Sequence, residues 1–176
     1  MSLQVLISES EIQERIQAMA DQMSRDYSDL KSPLLMVGIL KGSFIFLADL
    51  SRKLSVPTQV DFMEVSSYGA STETSGDVRV LKDLRSNIKD RDVILVEDIV
   101  DTGLTLNRVL DFLKSKQPRS LKVCSLLYKP SRERVKIDIS YLGFKIEDHF
   151  VVGYGMDYAE DFRNLPYVGI YSERND

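Results

Sequence analysis

The chain has 176 residues, 43% of them hydrophobic and 28% charged, and a formal net charge of −4. That length suits one domain with a substantial core, the composition is that of a globular protein and not of a disordered one, and the acidic balance speaks against a binder that relies on one large basic face for nucleic acid. One cysteine, Cys124, and one histidine leave neither an internal disulfide nor a Cys/His zinc site. No apolar run approaches the length of a membrane span. Residues 1–7 have neither a basic nor a long apolar stretch of the secretory kind, so the cytoplasm is the expected location.

In chain order, Ser8 followed by Glu11 reads as a capping box that opens a helix, with Ile12, Ile16, Met19 and Met23 on one face. Leu34 to Ile39 is a nearly unbroken apolar run, as a strand covered on both faces requires. Leu40-Lys41-Gly42-Ser43 interrupts it, Phe44 to Leu54 is helical in pattern, and Thr58 to Ser67 has the β-branched and aromatic content of a strand. Tyr68 to Asp77 is small, polar and almost without anchoring hydrophobes, which marks a loop that is either functional or disordered. Val78 to Leu81 and Val93 to Val96 return to strand. Leu106, Val109, Leu110 and Leu113 mark a helix ending before Pro118, and Leu121 to Tyr128 is another strand. Shorter strands are expected near Ile137 to Tyr141, Phe150 to Gly153 and Val168 to Tyr171. The alternation predicts an α/β fold, with a mostly parallel central sheet flanked by helices and a small hood or cap made from the chain ends. One domain over 1–176 follows, its core roughly 30–145 and its hood the N-terminal segment plus roughly 146–176.

The most informative stretch runs from Val93 to Thr105: a buried-type strand, then Glu97 and Asp98, then Asp101, then Thr102-Gly103-Leu104-Thr105 leading into a helix. Ligands of open α/β sheets bind beyond the carboxyl ends of strands. Small residues before a helix start expose backbone amides that cradle a phosphate, and Thr102 and Thr105 add hydroxyls. Acids beside that cradle suit ribose hydroxyls. There is no Gly-x-x-x-x-Gly-Lys-Ser/Thr loop, and Gly153-Tyr154-Gly155 lacks the rest of a dinucleotide fingerprint.

Residues 97–105 closely resemble the phosphoribosyl-pyrophosphate motif of the type I phosphoribosyltransferases. The resemblance implies that Glu97 and Asp98 hold ribose, and that Asp101, Thr102, Gly103, Leu104 and Thr105 hold the 5′-phosphate. Leu104 stands where some members carry lysine. Three further segments resemble the hypoxanthine/guanine branch. Leu40, Lys41 and Gly42 match its pyrophosphate loop, often with a cis peptide before the lysine. Ser67 and Tyr68 match the start of a mobile lid that also touches pyrophosphate, and a lid would keep water from an oxocarbenium-like transition state. Lys129, Phe150 and Val151 match the purine-binding elements, with Ile99 and Asp157 beside them. A donor-only lysine suits a 6-oxopurine and rejects adenine. Asp157, with Glu97 and Asp98, matches the metal-binding acids, and Arg163 matches an arginine on the pyrophosphate.

What the resemblance implies is purine salvage: Mg²⁺-dependent transfer of a 5-phosphoribosyl group from 5-phosphoribosyl 1-pyrophosphate to N9 of hypoxanthine, and of guanine. Asp101 is the candidate general base, taking the N7 proton as N9 attacks ribose C1. The rival readings are a xanthine-guanine enzyme and an RNA-binding regulator of the same fold, the latter disfavoured by the acidic balance. The expected partners are the two small substrates, with no nucleic acid and no membrane, in a homo-oligomer that is a dimer or tetramer.

Overall fold

The computed structural model describes residues 2–67 and 78–172 of the chain. The chain opens with β1 (Ser2–Ile7) and α1 (Glu9–Asp26), continues through β2 (Leu34–Leu40), α2 (Phe44–Lys53), β3 (Thr58–Ser67), β4 (Val78–Lys82) and β5 (Asp92–Val100), then α3 (Leu104–Ser115) and β6 (Ser120–Tyr128). It closes with a 3-10 turn (Pro130–Arg132), β7 (Ile139–Lys145), β8 (Val151–Val152) and β9 (Val168–Ser172). The capping box forms as its sequence requires. The Ser8 hydroxyl accepts from the Glu11 amide at 3.3 Å, and the Glu11 carboxylate accepts from the Ser8 amide at 2.8 Å.

Six strands make the central sheet in the order β4-β3-β2-β5-β6-β7, parallel throughout except where β4 runs antiparallel to β3. Helices cover both faces, which is why β2 reads as continuously apolar. Leu34 and Met36 point with Ile94 and Val96 toward α1 and α2, whose Ile12, Ile16, Met19, Phe46 and Leu50 complete one core. Leu35, Val37, Val93 and Leu95 point the other way, onto Leu106, Val109 and Leu113 of α3. Burying each such side chain contributes about 1.5–3 kcal/mol, and the alternation across β2 lets one short strand serve both cores. Cys124 sits in the first core, fully buried.

The remaining strands form a small antiparallel sheet, β1-β9-β8, which joins the two ends of the chain. The N-terminal segment divides between the layers: β1 belongs to the small sheet, whereas α1 packs beside α2 on the central one. Two local expectations need correction. No strand was expected at residues 1–7, yet β1 forms because β9, more than 160 residues away, supplies its partner. The strand expected at 137–141 runs instead from Ile139 to Lys145. Ile137 turns into the core under α3, and Arg15 donates to the edge carbonyls of Leu142 and Gly143, at 3.1 and 3.0 Å, where a further strand would otherwise pair.

Candidate active site

The parallel strands end together, and β5 delivers the acids there. Two cavities open side by side, sharing Ile99 and Asp101 in their walls. One, of about 200 Å³, is bounded by Glu97, Thr102, Gly103, Thr105 and the start of α3. The other, of about 250 Å³, is bounded by Lys129, Phe150, Val151 and Asp157. The adjacent carboxylates thus part: Glu97 faces the first cavity and Asp98 the second.

In the first cavity the turn has the geometry of an anion cradle. Gly103 has φ of +79°, and a Cβ on it would collide with the Val135 carbonyl. The amides of Arg134 and Val135 donate to the Thr102 carbonyl at 3.0 and 3.1 Å, so the segment after the 3-10 turn holds the cradle from behind. No side chain caps α3, apart from a 3.4 Å contact from the Leu104 amide to Thr102 Oγ1. Its first-turn amides and positive dipole end are therefore available to a phosphate.

The acids are electrostatically unsettled. Glu97 Oε2 is buried without a hydrogen-bond partner, and burial, reinforced by Asp98, holds this carboxyl well above its ordinary pKa. Burial likewise pushes Asp98 up to about 6, against the opposing pull of the Ile99 amide at 2.9 Å and of Arg163. A buried carboxylate oxygen left without a partner, beside a second carboxyl raised by burial, is characteristic of a site that awaits hydroxyls or a cation.

Asp98 also abuts the loop after β2. The Leu40–Lys41 peptide is cis, and a Cβ on Gly42 would overlap the Asp98 carboxylate. Lys41 Nζ pairs with Glu160 at 2.8 Å, and Arg163 pairs with Asp157 at 2.8 Å while donating to the Gly155 carbonyl at 2.8 Å. Loop 40–43, Asp98 and segment 155–163 therefore enclose one side of the cleft.

In the second cavity, the Lys129 amide donates to the Val100 carbonyl at 3.0 Å, and its buried side chain ends 3.5 Å from Asp148. Phe150 remains 52% exposed, its ring held edge-on by Tyr158 at 5.8 Å and Tyr171 at 6.0 Å, which leaves an open face for a planar ligand. Val151 is fixed in the small sheet opposite Ile170.

Glu97, Asp98, Ile99, Asp101, Thr102, Gly103, Leu104, Thr105, Lys129, Phe150, Val151 and Asp157 thus gather around the two cavities, with Leu40, Lys41, Gly42 and Arg163 on the adjoining wall. Tyr68 lies outside the described residues, as does the polar segment 69–77. Ser67 ends β3. Three charged residues near the cleft were missed from the sequence. Arg132 donates to Asp101 at 3.1 Å and lies 3.8 Å from Asp148, which in turn faces Lys129. Glu160 spans Lys41 and Arg163. The signal for Arg132 was its place two residues after Pro130, which starts a tight turn; nothing in the pattern of charges singled out Asp148 or Glu160.

Residues 8–159 match the model of the phosphoribosyl transferase domain. The chain is 49% identical to the hypoxanthine phosphoribosyltransferase of Salmonella typhimurium over 168 residues, 96% of this chain and 94% of that protein. It is also 49% identical to the hypoxanthine-guanine phosphoribosyltransferase of Mycobacterium tuberculosis, over 97% of this chain and 86% of the relative. A crystal structure of a hypoxanthine-guanine phosphoribosyltransferase from Bacillus anthracis superposes with a TM-score of 0.90 at 45% identity, covering 96% of this chain and 98% of the other. The acid-bearing strand, the amide cradle and the matched sequence agree: the chain belongs to the phosphoribosyltransferase family.

Proposed function

We propose that the chain is a purine-salvage enzyme that transfers the 5-phosphoribosyl group of 5-phosphoribosyl 1-pyrophosphate to N9 of hypoxanthine, and of guanine, with release of pyrophosphate. One observation carries this reading: a phosphate cradle and an aromatic-walled cavity adjoin, and Asp101 stands in the wall between them. A 5′-phosphate on the amides of 102–105 would place ribose across Glu97 and Asp98, and a base against Phe150.

In the reaction the bond from ribose C1 to the pyrophosphate oxygen breaks and the bond from C1 to N9 forms. Asp101 accepts the proton that leaves purine N7. The Lys129 ammonium donates to the oxygen at C6, Phe150 stacks on the ring, and the backbone at Val151 and Asp157 contacts the opposite edge. Ile99 packs on the base. Leu40, Lys41 and Gly42 receive the pyrophosphate through their backbone, with the charge of the Lys41 ammonium beside it, together with Ser67, Tyr68 and Arg163.

The acids fit a magnesium ion. Glu97 Oε2 has no partner, Asp98 and Asp157 supply further hard oxygen donors, and among the described residues no three side chains converge into an all-protein metal cage. Mg²⁺ characteristically takes one or two carboxylates and completes its shell with substrate oxygens and water. One or two of Asp157, Glu97 and Asp98 would hold it, Asp98 and Asp157 lining the same cavity, and it would supply neutralising charge to the departing pyrophosphate.

We further propose a single domain of core and hood, acting in the cytoplasm as a dimer or tetramer. No helix of the described residues is long and apolar enough to cross a membrane. Exposed Phe44, Val60 and Leu81 are apolar surface that an assembly would cover, which sedimentation would test. The activity is tested by giving the protein the donor and Mg²⁺ with hypoxanthine, guanine, xanthine or adenine and following nucleotide formation by absorbance. Turnover of hypoxanthine and guanine without adenine is expected; adenine as the sole acceptor would overturn the assignment.

A further inference from the structure

The wall of the cleft made by loop 40–43 and segment 155–163 carries its own anion. Glu160 gives one carboxylate oxygen to each of two cations on different loops: Oε2 lies 2.8 Å from Lys41 Nζ, and Oε1 lies 3.2 Å from Arg163. Its amide donates to Asp157 Oδ2 at 2.9 Å, and the left-handed backbone of Ala159 (φ +51°), Glu160 (φ +70°) and Phe162 (φ +75°) curls the segment so that its carboxylate returns over Arg163. Arg163 is mostly buried, and its Nε is buried without a partner, so this guanidinium is not saturated by the acids around it. Glu160 itself is 65% exposed and can swing into solvent.

An anion whose two oxygens span two cations from two loops has the contact pattern of a pyrophosphate on the same wall. The charges do not favour that ligand as they stand. Lys41 and Arg163 contribute two positive charges, and Asp98, Asp157 and Glu160 three negative ones, leaving the wall one unit negative when all three acids are ionised. Asp98 and Asp157 have assigned tasks with ribose and metal. Glu160 has none, and it is the acid most easily withdrawn.

We propose that Glu160 is an affinity-setting residue: a resident counter-anion that competes with pyrophosphate for Lys41 and Arg163, weakens the hold on the leaving group, and takes its place as it departs. This rests on the phosphoribosyl-transfer reading. The opposite role, a strap that holds the two loops in their binding-competent places, predicts the opposite sign for the same substitution.

The test is the dissociation constant of magnesium pyrophosphate, by calorimetry on the whole protein, for wild type, Glu160→Gln and the charge-conserving Glu160→Asp. Loss of an exposed competing charge is expected to tighten binding about two- to fivefold in Glu160→Gln. The gain should shrink at high salt, because it is electrostatic, and Glu160→Asp should stay near wild type. Unchanged or weaker binding in Glu160→Gln overturns the proposal. If wild type meanwhile forms nucleotide from hypoxanthine, the phosphoribosyl-transfer reading survives that loss. Wild type that neither binds pyrophosphate nor makes nucleotide sinks both.

Discussion

The Asp98 carboxylate lies against the Cα of Gly42, so closely that no side chain fits between them. An acid at the end of β5 thereby sets the position of the loop after β2, joining the part of the cleft proposed for ribose to the part proposed for pyrophosphate.

Gly42→Ala should displace either the carboxylate or the loop. Misplacing reacting groups by about 1 Å can cost on the order of 100-fold in rate, so kcat/KM should fall by that order while the melting temperature changes little. Steady-state kinetics beside a thermal scan checks both.

Asp101→Asn removes the proposed proton acceptor and leaves the cradle amides in place. A general base contributes about 10²–10⁴-fold, so kcat should fall within that range with the KM for the phosphoribosyl donor nearly unchanged. Undiminished turnover would remove Asp101 from this role.

Lys129→Met should lower kcat/KM for hypoxanthine about 10- to 100-fold, the worth of a charged hydrogen bond to the base. Donor affinity should be spared. An equal loss toward both substrates would show that Lys129 acts by holding the cleft together through its side-chain pairing with Asp148.

Asp98 links function to stability through pH. Burial raises its folded pKa to about 6, above an unfolded value near 4, so the folded protein holds this proton more tightly. Its effect on stability is therefore neutral below pH ~4 and increasingly unfavourable as pH rises toward 6, reaching at most about 3 kcal/mol above that. Asp98→Asn should melt several degrees higher than wild type at pH 7.5, match it near pH 4, and lose activity. Differential scanning at the two pH values reads this directly.

Asp61 is the structural contrast. It is buried on β3, and its carboxylate accepts from the amides of Phe62 at 2.8 Å, Arg85 at 2.9 Å and Ser86 at 2.7 Å. Burial alone would raise its pKa, but these amides, Ser86 foremost, outweigh it and hold the group below the usual carboxylate range. Its stabilisation is present above the unfolded pKa near 4 and is lost as pH falls through the lower folded value. Asp61→Ala leaves three part-buried amides without their acceptor and should cost about 1–3 kcal/mol, seen in chemical denaturation at pH 7, with kcat little changed.

Much of this was legible in the chain because the signals were local. The apolar runs at 34–39, 93–96 and 121–128 announce strands covered on both faces, and the helical spacing from Ile12 to Met23 announces its own buried stripe. The acids, small residues and helix start at 97–105 are contiguous, so the cradle could be read without knowing what surrounds it. A strand such as β1 carries no comparable signal, since its partner is at the far end of the chain.

By itself, then, the sequence determined the parallel sheet, the glycine turn proposed for phosphate and the kinds of side chain proposed for purine and ribose, since backbone propensity and hydrophobic period act between near neighbours. Only the tertiary structure decided which charges meet. Arg132 on Asp101, Glu160 on Lys41, and Asp98 against Gly42 join residues that are 31, 119 and 56 positions apart. Coulomb forces and steric exclusion depend on distance in space, and no spacing along the chain encodes that distance until the sheet has brought its strand ends together.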